Sequence, residues 1–237
     1  MARVNEFLKE FDRLAPCYEE LLKDPFRDWF GGGDSRFFHG RKADLVREHF
    51  RRRSIDTSRL SFLDVGCGRG ELLEMLRGDF GHVAGCDPSQ RLLEAGAAAG
   101  IEKHVQSHPT TLPFESGRFD AATAVCVYHH VAPGLRSALT EEVRRVMKPG
   151  GTLAIIEHNP YNPITRRVVR RTPVDADAVL LRPVETRRLL RQAGFEILEQ
   201  RYFLYFPRRV YRKAACLESL LRAMPLGGQY AVFARLE

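Results

Sequence analysis

Leu63-Asp64-Val65-Gly66-Cys67-Gly68-Arg69-Gly70-Glu71 is the stretch on which the reading of this 237-residue chain turns. Ahead of it, residues 60–65 form a short apolar run that predicts a buried strand, and behind it Leu72, Leu73 and Leu76 share one helical face. Strand, glycine turn and helix start therefore meet within a dozen residues. Glycine is needed there because side chains would block both the turn and the approach of a ligand to the backbone. The pattern reads as a cradle for a nucleotide-type cofactor. NAD fits it poorly: the dinucleotide fingerprint closes on a small residue where this chain has Glu71, whose charge would lie against a pyrophosphate.

Working outward, residues 82–87 predict a second strand ending in an acid. The spacing puts Asp87 at the tip of the neighbouring parallel strand, where a carboxylate can accept both hydroxyl protons of a ribose. Pro88-Ser89 then opens the next helix. Residues 103–107 and 121–127 predict strands three and four, the latter running into Tyr128-His129-His130-Val131. Leu135, Leu139, Val143 and Val146 mark an amphipathic helix that Met147-Lys148-Pro149-Gly150-Gly151 ends, and residues 152–157 follow as strand five. Its exit, Glu157-His158-Asn159-Pro160-Tyr161-Asn162-Pro163, carries two Asn-Pro breaks at the carboxyl end of a central strand, where acceptor-binding groups belong.

An acid followed by Gly-x-Gly-x-Gly at 64–70, the acid-ended strand at Asp87, Leu112-Pro113-Phe114 with Phe119-Asp120, and the histidine segment after strand four together resemble the class I S-adenosylmethionine (SAM) methyltransferases, in the type 11/12-like small-molecule group. The resemblance covers residues 60–157 well and the rest loosely. It implies an α/β fold, a Rossmann-like doubly wound seven-stranded sheet ordered 3-2-1-4-5-7-6 with its last strand antiparallel, plus a helical N-terminal cap and helical insertions. It also implies SAM as cofactor, leaving as S-adenosylhomocysteine, with Asp64, Gly66, Cys67, Gly68, Asp87, Pro88, Cys126 and Val127 around it. In the overlying N-terminal segment, Tyr18 either touches the cofactor or is an ordinary half-buried helix tyrosine. Where the family usually carries an acid for the adenine amine, this chain has His108-Pro109, and proline has no N–H to give. That contact falls to His108, Thr110 or water.

Length and a 44% hydrophobic content allow one domain over residues 1–237: a cap (1–55), a SAM-binding core (56–158), and substrate-side insertions with the completion of the sheet (159–237). Val4, Phe7, Leu8, Phe11 and Leu14 predict an opening amphipathic helix that Pro16 interrupts. Gly31-Gly32-Gly33 is a hinge or a plain turn before a helix around residues 37–50. Late in the chain the pattern gives a helix over 183–193, an aromatic strand over 195–206, a helix over 210–221 and a closing strand over 230–236. The net charge of +7 admits an anionic acceptor or nucleic acid without demanding either. Five cysteines with no Cys-x-x-Cys pair read as reduced packing residues of a cytoplasmic protein. A signal peptide and a membrane span are not expected.

The chemistry expected is methyl transfer to a small-metabolite oxygen, nitrogen or carbon, without a metal, by a monomer or homodimer. His158 is the first choice for a base or acceptor-orienting group, against a purely structural role. His129 and His130 are the others, one of them structural. Arg166, Arg167, Arg170 and Arg171 share a helical face that clamps an anionic acceptor if it faces the pocket and is a solvated stripe if it does not, with Asp175 and Asp177 placed to pair with it. Rival readings are an RNA methyltransferase using that face, a non-catalytic SAM-binding partner subunit and, least, an NAD oxidoreductase.

Overall fold

The computed structural model describes residues 12–96 and 100–237. The opening helix read from Val4, Phe7, Leu8 and Phe11, and the alanine-rich stretch at 97–99, lie outside the described residues. Seven strands form one sheet: β1 Ser61–Val65, β2 His82–Asp87, β3 Glu102–Val105, β4 Phe119–Val125, β5 Met147–His158, β6 Phe195–Phe203 and β7 Gln229–Leu236. Their order is β3-β2-β1-β4-β5-β7-β6, the order the resemblance implied. The first five are parallel, and β7 runs antiparallel to both neighbours.

Helices cover both faces. They are α1 Tyr18–Leu21, α2 Pro25–Gly31, α3 Arg36–Arg52, α4 Glu71–Leu76, α5 Gln90–Ala95, α6 Arg136–Val146, α7 Pro163–Arg171, α8 Pro183–Gln192 and α9 Arg208–Leu221. Successive side chains of a strand point to opposite faces, so Leu63 of β1 packs with Leu139 and Val143 of α6 and Leu190 of α8, while Phe62 packs with Val46 and Phe50 of α3 and Leu73 and Leu76 of α4. A sheet covered on both sides needs apolar residues on both faces of a strand, which is why Phe62, Leu63 and Val65 of β1 are all apolar.

Several boundaries differ from the expected ones, each for a local reason. Strand β4 stops at Val125 because Cys126 takes a left-handed backbone (φ 57°), and β6 stops at Phe203 because Leu204 does the same (φ 61°). Helix α5 opens at Pro88-Ser89 as expected, with Gln90 its first residue: the Asp87 Oδ1 accepts the Ser89 N–H, holding Ser89 extended, and Ser89 Oγ caps the helix by accepting the Leu92 N–H. The 147–151 segment is drawn into β5 through a register shift against β4 rather than lying outside the sheet as a turn. Gly32 and Gly33 (φ 70° and 73°) end α2. Among the described residues, no helix is long and apolar enough to cross a membrane.

Candidate functional site

One cavity of about 800 Å³ opens over the carboxyl ends of β1, β4 and β5, where the order of the sheet reverses. Its floor at one end is the glycine turn. Gly66 has φ 71°, and a Cβ there would come within 2.4 Å of Val127 Cγ2, so the turn and the start of the loop after β4 close on each other only because Gly66 has no side chain. Gly68, at φ 55°, has open space where its Cβ would be. Its N–H donates to Asp87 Oδ2 at 2.8 Å, while the Ser89 N–H holds the other carboxylate oxygen, so Asp87 is fixed at the edge of the cavity with lone pairs left over. Burial raises its pKa to about 6 against those two N–H groups. Asp64 lies deeper and accepts the Thr123 hydroxyl at 2.6 Å. Burial pushes it to about 7, offset by Thr123 and the Lys42 charge.

Lys42 of α3 is itself buried and lines this end of the cavity. An acid and a cation there form a pair of opposite charges suited to a zwitterionic amino-acid tail, beside an acid suited to a ribose and a glycine floor open to close approach. The residues present thus fit SAM. Tyr18 also lines the cavity, its phenol pushed up by burial and by the Asp87 and Asp175 charges.

The other end is built from segments far apart in the chain. Glu157, fully buried at the end of β5, accepts the Tyr128 N–H through Oε1 at 2.7 Å and meets His129 Nδ1 through Oε2 at 2.5 Å. Nε2 of His129 faces Asp175 Oδ1 at 3.4 Å without a hydrogen bond, and His130 Nε2 lies 3.5 Å from the same oxygen. The His129 and His158 rings are 5.1 Å apart. Asp175 comes from a short turn after α7, fastened to the histidine segment by the Val179 N–H donating to the His129 carbonyl at 2.8 Å and by Arg136 donating to the Val179 carbonyl at 2.6 Å.

Electrostatics separates the histidines. Burial opposes charge on His129, but Glu157 and Asp175 prevail and raise its pKa to about 10. Burial and the adjoining His129 charge lower His130 to about 3. Cys126, also in the wall, accepts from Gln229 Nε2 at 3.3 Å; burial pushes its thiol up, yet Lys42 and His158 bring it down to about 7.

Of the expected residues, Tyr18, Asp64, Gly66, Cys67, Gly68, Asp87, Pro88, Cys126, Val127 and all three histidines line the cavity. His108 and Thr110 do not: the Thr110 N–H and hydroxyl both meet His108 Nδ1, closing a small local turn, and Gln106 and Pro109 line the cavity instead. In the exit segment after β5, where acceptor-binding groups belong, Asn159 and Tyr161 do not line the cavity. Asn159 spends its amide on the Pro225 and Gly227 carbonyls, and Tyr161 is exposed. The α7 arginines are solvent-exposed, and Asp175 turns inward to the histidines rather than to them. Local sequence patterning missed Asp175, Glu157 and Lys42 as site residues, because each is brought in by a separate element.

Residues 63–155 match the family described as "Methyltransferase domain". The chain is 34% identical over 169 residues to 2-phytyl-1,4-naphtoquinone methyltransferase of Trichormus variabilis, covering 67% of each protein. It is 33% identical over 142 residues to demethylmenaquinone methyltransferase of Lactococcus lactis, covering 54% of each. Among solved structures, geranyl diphosphate C-methyltransferase of Streptomyces coelicolor, in complex with Mg2+, geranyl diphosphate and S-adenosyl-L-homocysteine, superposes with a TM-score of 0.63 over 84% of this chain and 79% of that one, at 16% identity.

Proposed function

The chain belongs to the class I SAM-dependent methyltransferases, and from that premise we propose that it methylates a small metabolite held at the histidine-lined end of the cavity. The observation that carries this reading is the shared cavity itself, with the glycine turn and Asp87 at one end and the histidine and carboxylate cluster at the other. The quinones named for two relatives support a flat, largely apolar acceptor. An oxygen, nitrogen or carbon atom is open as the point of attack.

Bound SAM supplies an electrophilic methyl group on a positively charged sulfur. Asp87 accepts from the ribose hydroxyls, and Asp64 with Lys42 holds the amino-acid tail. Gly66, Cys67, Gly68 and Pro88 form the floor, Cys126 and Val127 the wall, and Tyr18 the cover, excluding water so that orientation does most of the work. An acceptor hydroxyl must also lose its proton. His129, kept charged by Glu157 and Asp175, is a positioning residue rather than a base, and His130 is too weak a base in its setting. In this reading His158 takes the proton, supported by its half-buried position at the cavity wall.

In the same reading, the described part of the cap (residues 12–55) covers the site, the 56–158 core holds the cofactor, and 159–237 close the acceptor side within one domain. The five cysteines are free, which supports a reducing, cytoplasmic setting. The test is calorimetric titration of the full chain with S-adenosylhomocysteine, followed by incubation with SAM and quinol, phenol or amine acceptors and detection of the methylated product by mass. Uptake with product from one acceptor class is expected. Absence of uptake by folded protein overturns the reading.

A further inference from the structure

We propose that His129, His158 and Asp175 form a binding site for a divalent first-row transition-metal ion, Zn2+ above all, with its open position facing the acceptor. The proposal deepens the functional reading and rests on it for the ion's role, though not for the site. It departs from the expectation of a metal-free reaction, because no two of these ligands stand at a recognisable spacing in the sequence.

Geometry argues first. One donor atom from each of the three residues lies within 4.8 Å of the other two. The separation between His129 Nε2 and Asp175 Oδ1, 3.4 Å, is longer than a charge-assisted hydrogen bond of about 2.7–2.9 Å. It matches the edge of a tetrahedral shell with bonds of about 2.0–2.1 Å, which is roughly 3.3 Å.

The second argument is an orphaned atom. His129 is 1% exposed, and its Nε2 is buried with no hydrogen-bond partner. Its other ring nitrogen is engaged with Glu157 Oε2, the carboxylate–histidine arrangement that sets the tautomer of metal-bound imidazoles and leaves the lone pair on the far nitrogen. That nitrogen faces Asp175 Oδ1 at 3.4 Å. In the ion-free protein a proton there balances the carboxylate, and a bound ion takes the proton's place and releases it to water.

The donor set is the third. Two imidazoles and one carboxylate suit Zn2+ or Fe2+ and do not suit Mg2+ or Ca2+, which take oxygen. Three protein ligands are the number found at catalytic zinc sites, leaving a position for water or substrate, and all three residues line the cavity. The ligand class is therefore an acceptor with a hydroxyl or enolic oxygen. On coordination that oxygen gives a lone pair to the ion and its proton leaves to water, so that an ion-held oxygen replaces His158 as the means of deprotonation.

The experiment uses untagged full-length protein, stripped with a chelator and titrated with Co2+ as an optical probe for Zn2+. Expected are the intense visible bands of low-coordinate Co2+ at one equivalent per chain, their displacement by Zn2+, and at least tenfold weaker binding in His158→Ala and in Asp175→Asn. S-adenosylhomocysteine titration of the same preparations identifies folded variants, and half-buried His158 supplies the second variant where Asp175→Asn does not fold. Absence of bands in the wild type, or undiminished binding in the folded variant, overturns the site. Loss of S-adenosylhomocysteine uptake by the wild type would overturn the functional reading instead, and the Co2+ spectrum would still decide this one.

Discussion

The two ends of the cavity are built on different principles. At the glycine turn the floor and the acids, backbone N–H groups with Asp64 and Asp87, come from 25 consecutive residues, 63–87, while Lys42, Tyr18 and the 126–127 wall reach it from elsewhere. At the histidine end the decisive groups are side chains from three separate segments: 128–130 after β4, 157–158 at the end of β5, and 175 beyond α7. The first end is specified by where a Cβ is forbidden. The second is specified by which charges balance, since Glu157 and Asp175 raise His129 while that raised charge holds His130 down. A substitution at the first end should therefore act on donor binding, and one at the second on turnover alone.

The sharpest separation is expected from His158→Ala. Removing a proton-accepting or ion-holding group should lower turnover by roughly 10²–10⁴-fold, with S-adenosylhomocysteine affinity unchanged by calorimetry; a large loss of affinity would merge the two ends. Gly66→Ala tests the other side. Left-handed strain of about 1–3 kcal/mol, added to overpacking of about 1–3 kcal/mol against Val127, should weaken S-adenosylhomocysteine binding by at least about thirtyfold. Binding within threefold of wild type would mean that the turn does not fix the site. Asp87→Asn removes a charged acceptor worth about 1.5–3 kcal/mol and should cost affinity by roughly ten- to a hundredfold.

The pH dependence follows from the sign of the shifts. A carboxyl whose pKa is raised by burial binds protons more tightly folded than unfolded, so the ligand-free protein gains stability from it as pH falls from about 7 toward 4. A ribose needs Asp87 ionised and an ammonium needs Asp64 ionised. Affinity should therefore fall below about pH 7 for Asp64 and about pH 6 for Asp87, by about tenfold per pH unit for each group. The thermal shift given by S-adenosylhomocysteine should shrink between pH 7.5 and pH 5.5; a constant shift would contradict both assignments. The smallest effect is expected from Arg166→Ala with Arg170→Ala: exposed charges on α7 should change stability by less than about 0.5 kcal/mol and leave donor affinity and turnover alone, whereas loss of turnover would bring that face into the site.

How much could be read in advance tracks the same division. The strand, turn and helix at 61–76 and the acid at Asp87 were legible because period, glycine placement and acid-ended strands are local signals, while the order of the sheet followed from the family resemblance those motifs carry. Pro88-Ser89 does open the next helix, with Ser89 as its cap and Gln90 as its first residue, and a bond from Asp87 fixes Ser89 in place. Asp175 looked like a partner for nearby arginines, since sequence proximity says nothing of the turn that carries it under the histidines.

By itself, then, the amino-acid order determined a strand, a glycine floor and an acid at the tip of the next strand, since each follows from what a short stretch of backbone can and cannot do, and these motifs carry the resemblance that implies the doubly wound sheet. Only the tertiary structure decided that His129 is held between Glu157 and Asp175, that the buried Lys42 charge bears on Asp64, and that His108 and Thr110 turn to each other. Charge balance in a dry cavity depends on distances between segments, and those distances exist only once the chain has folded.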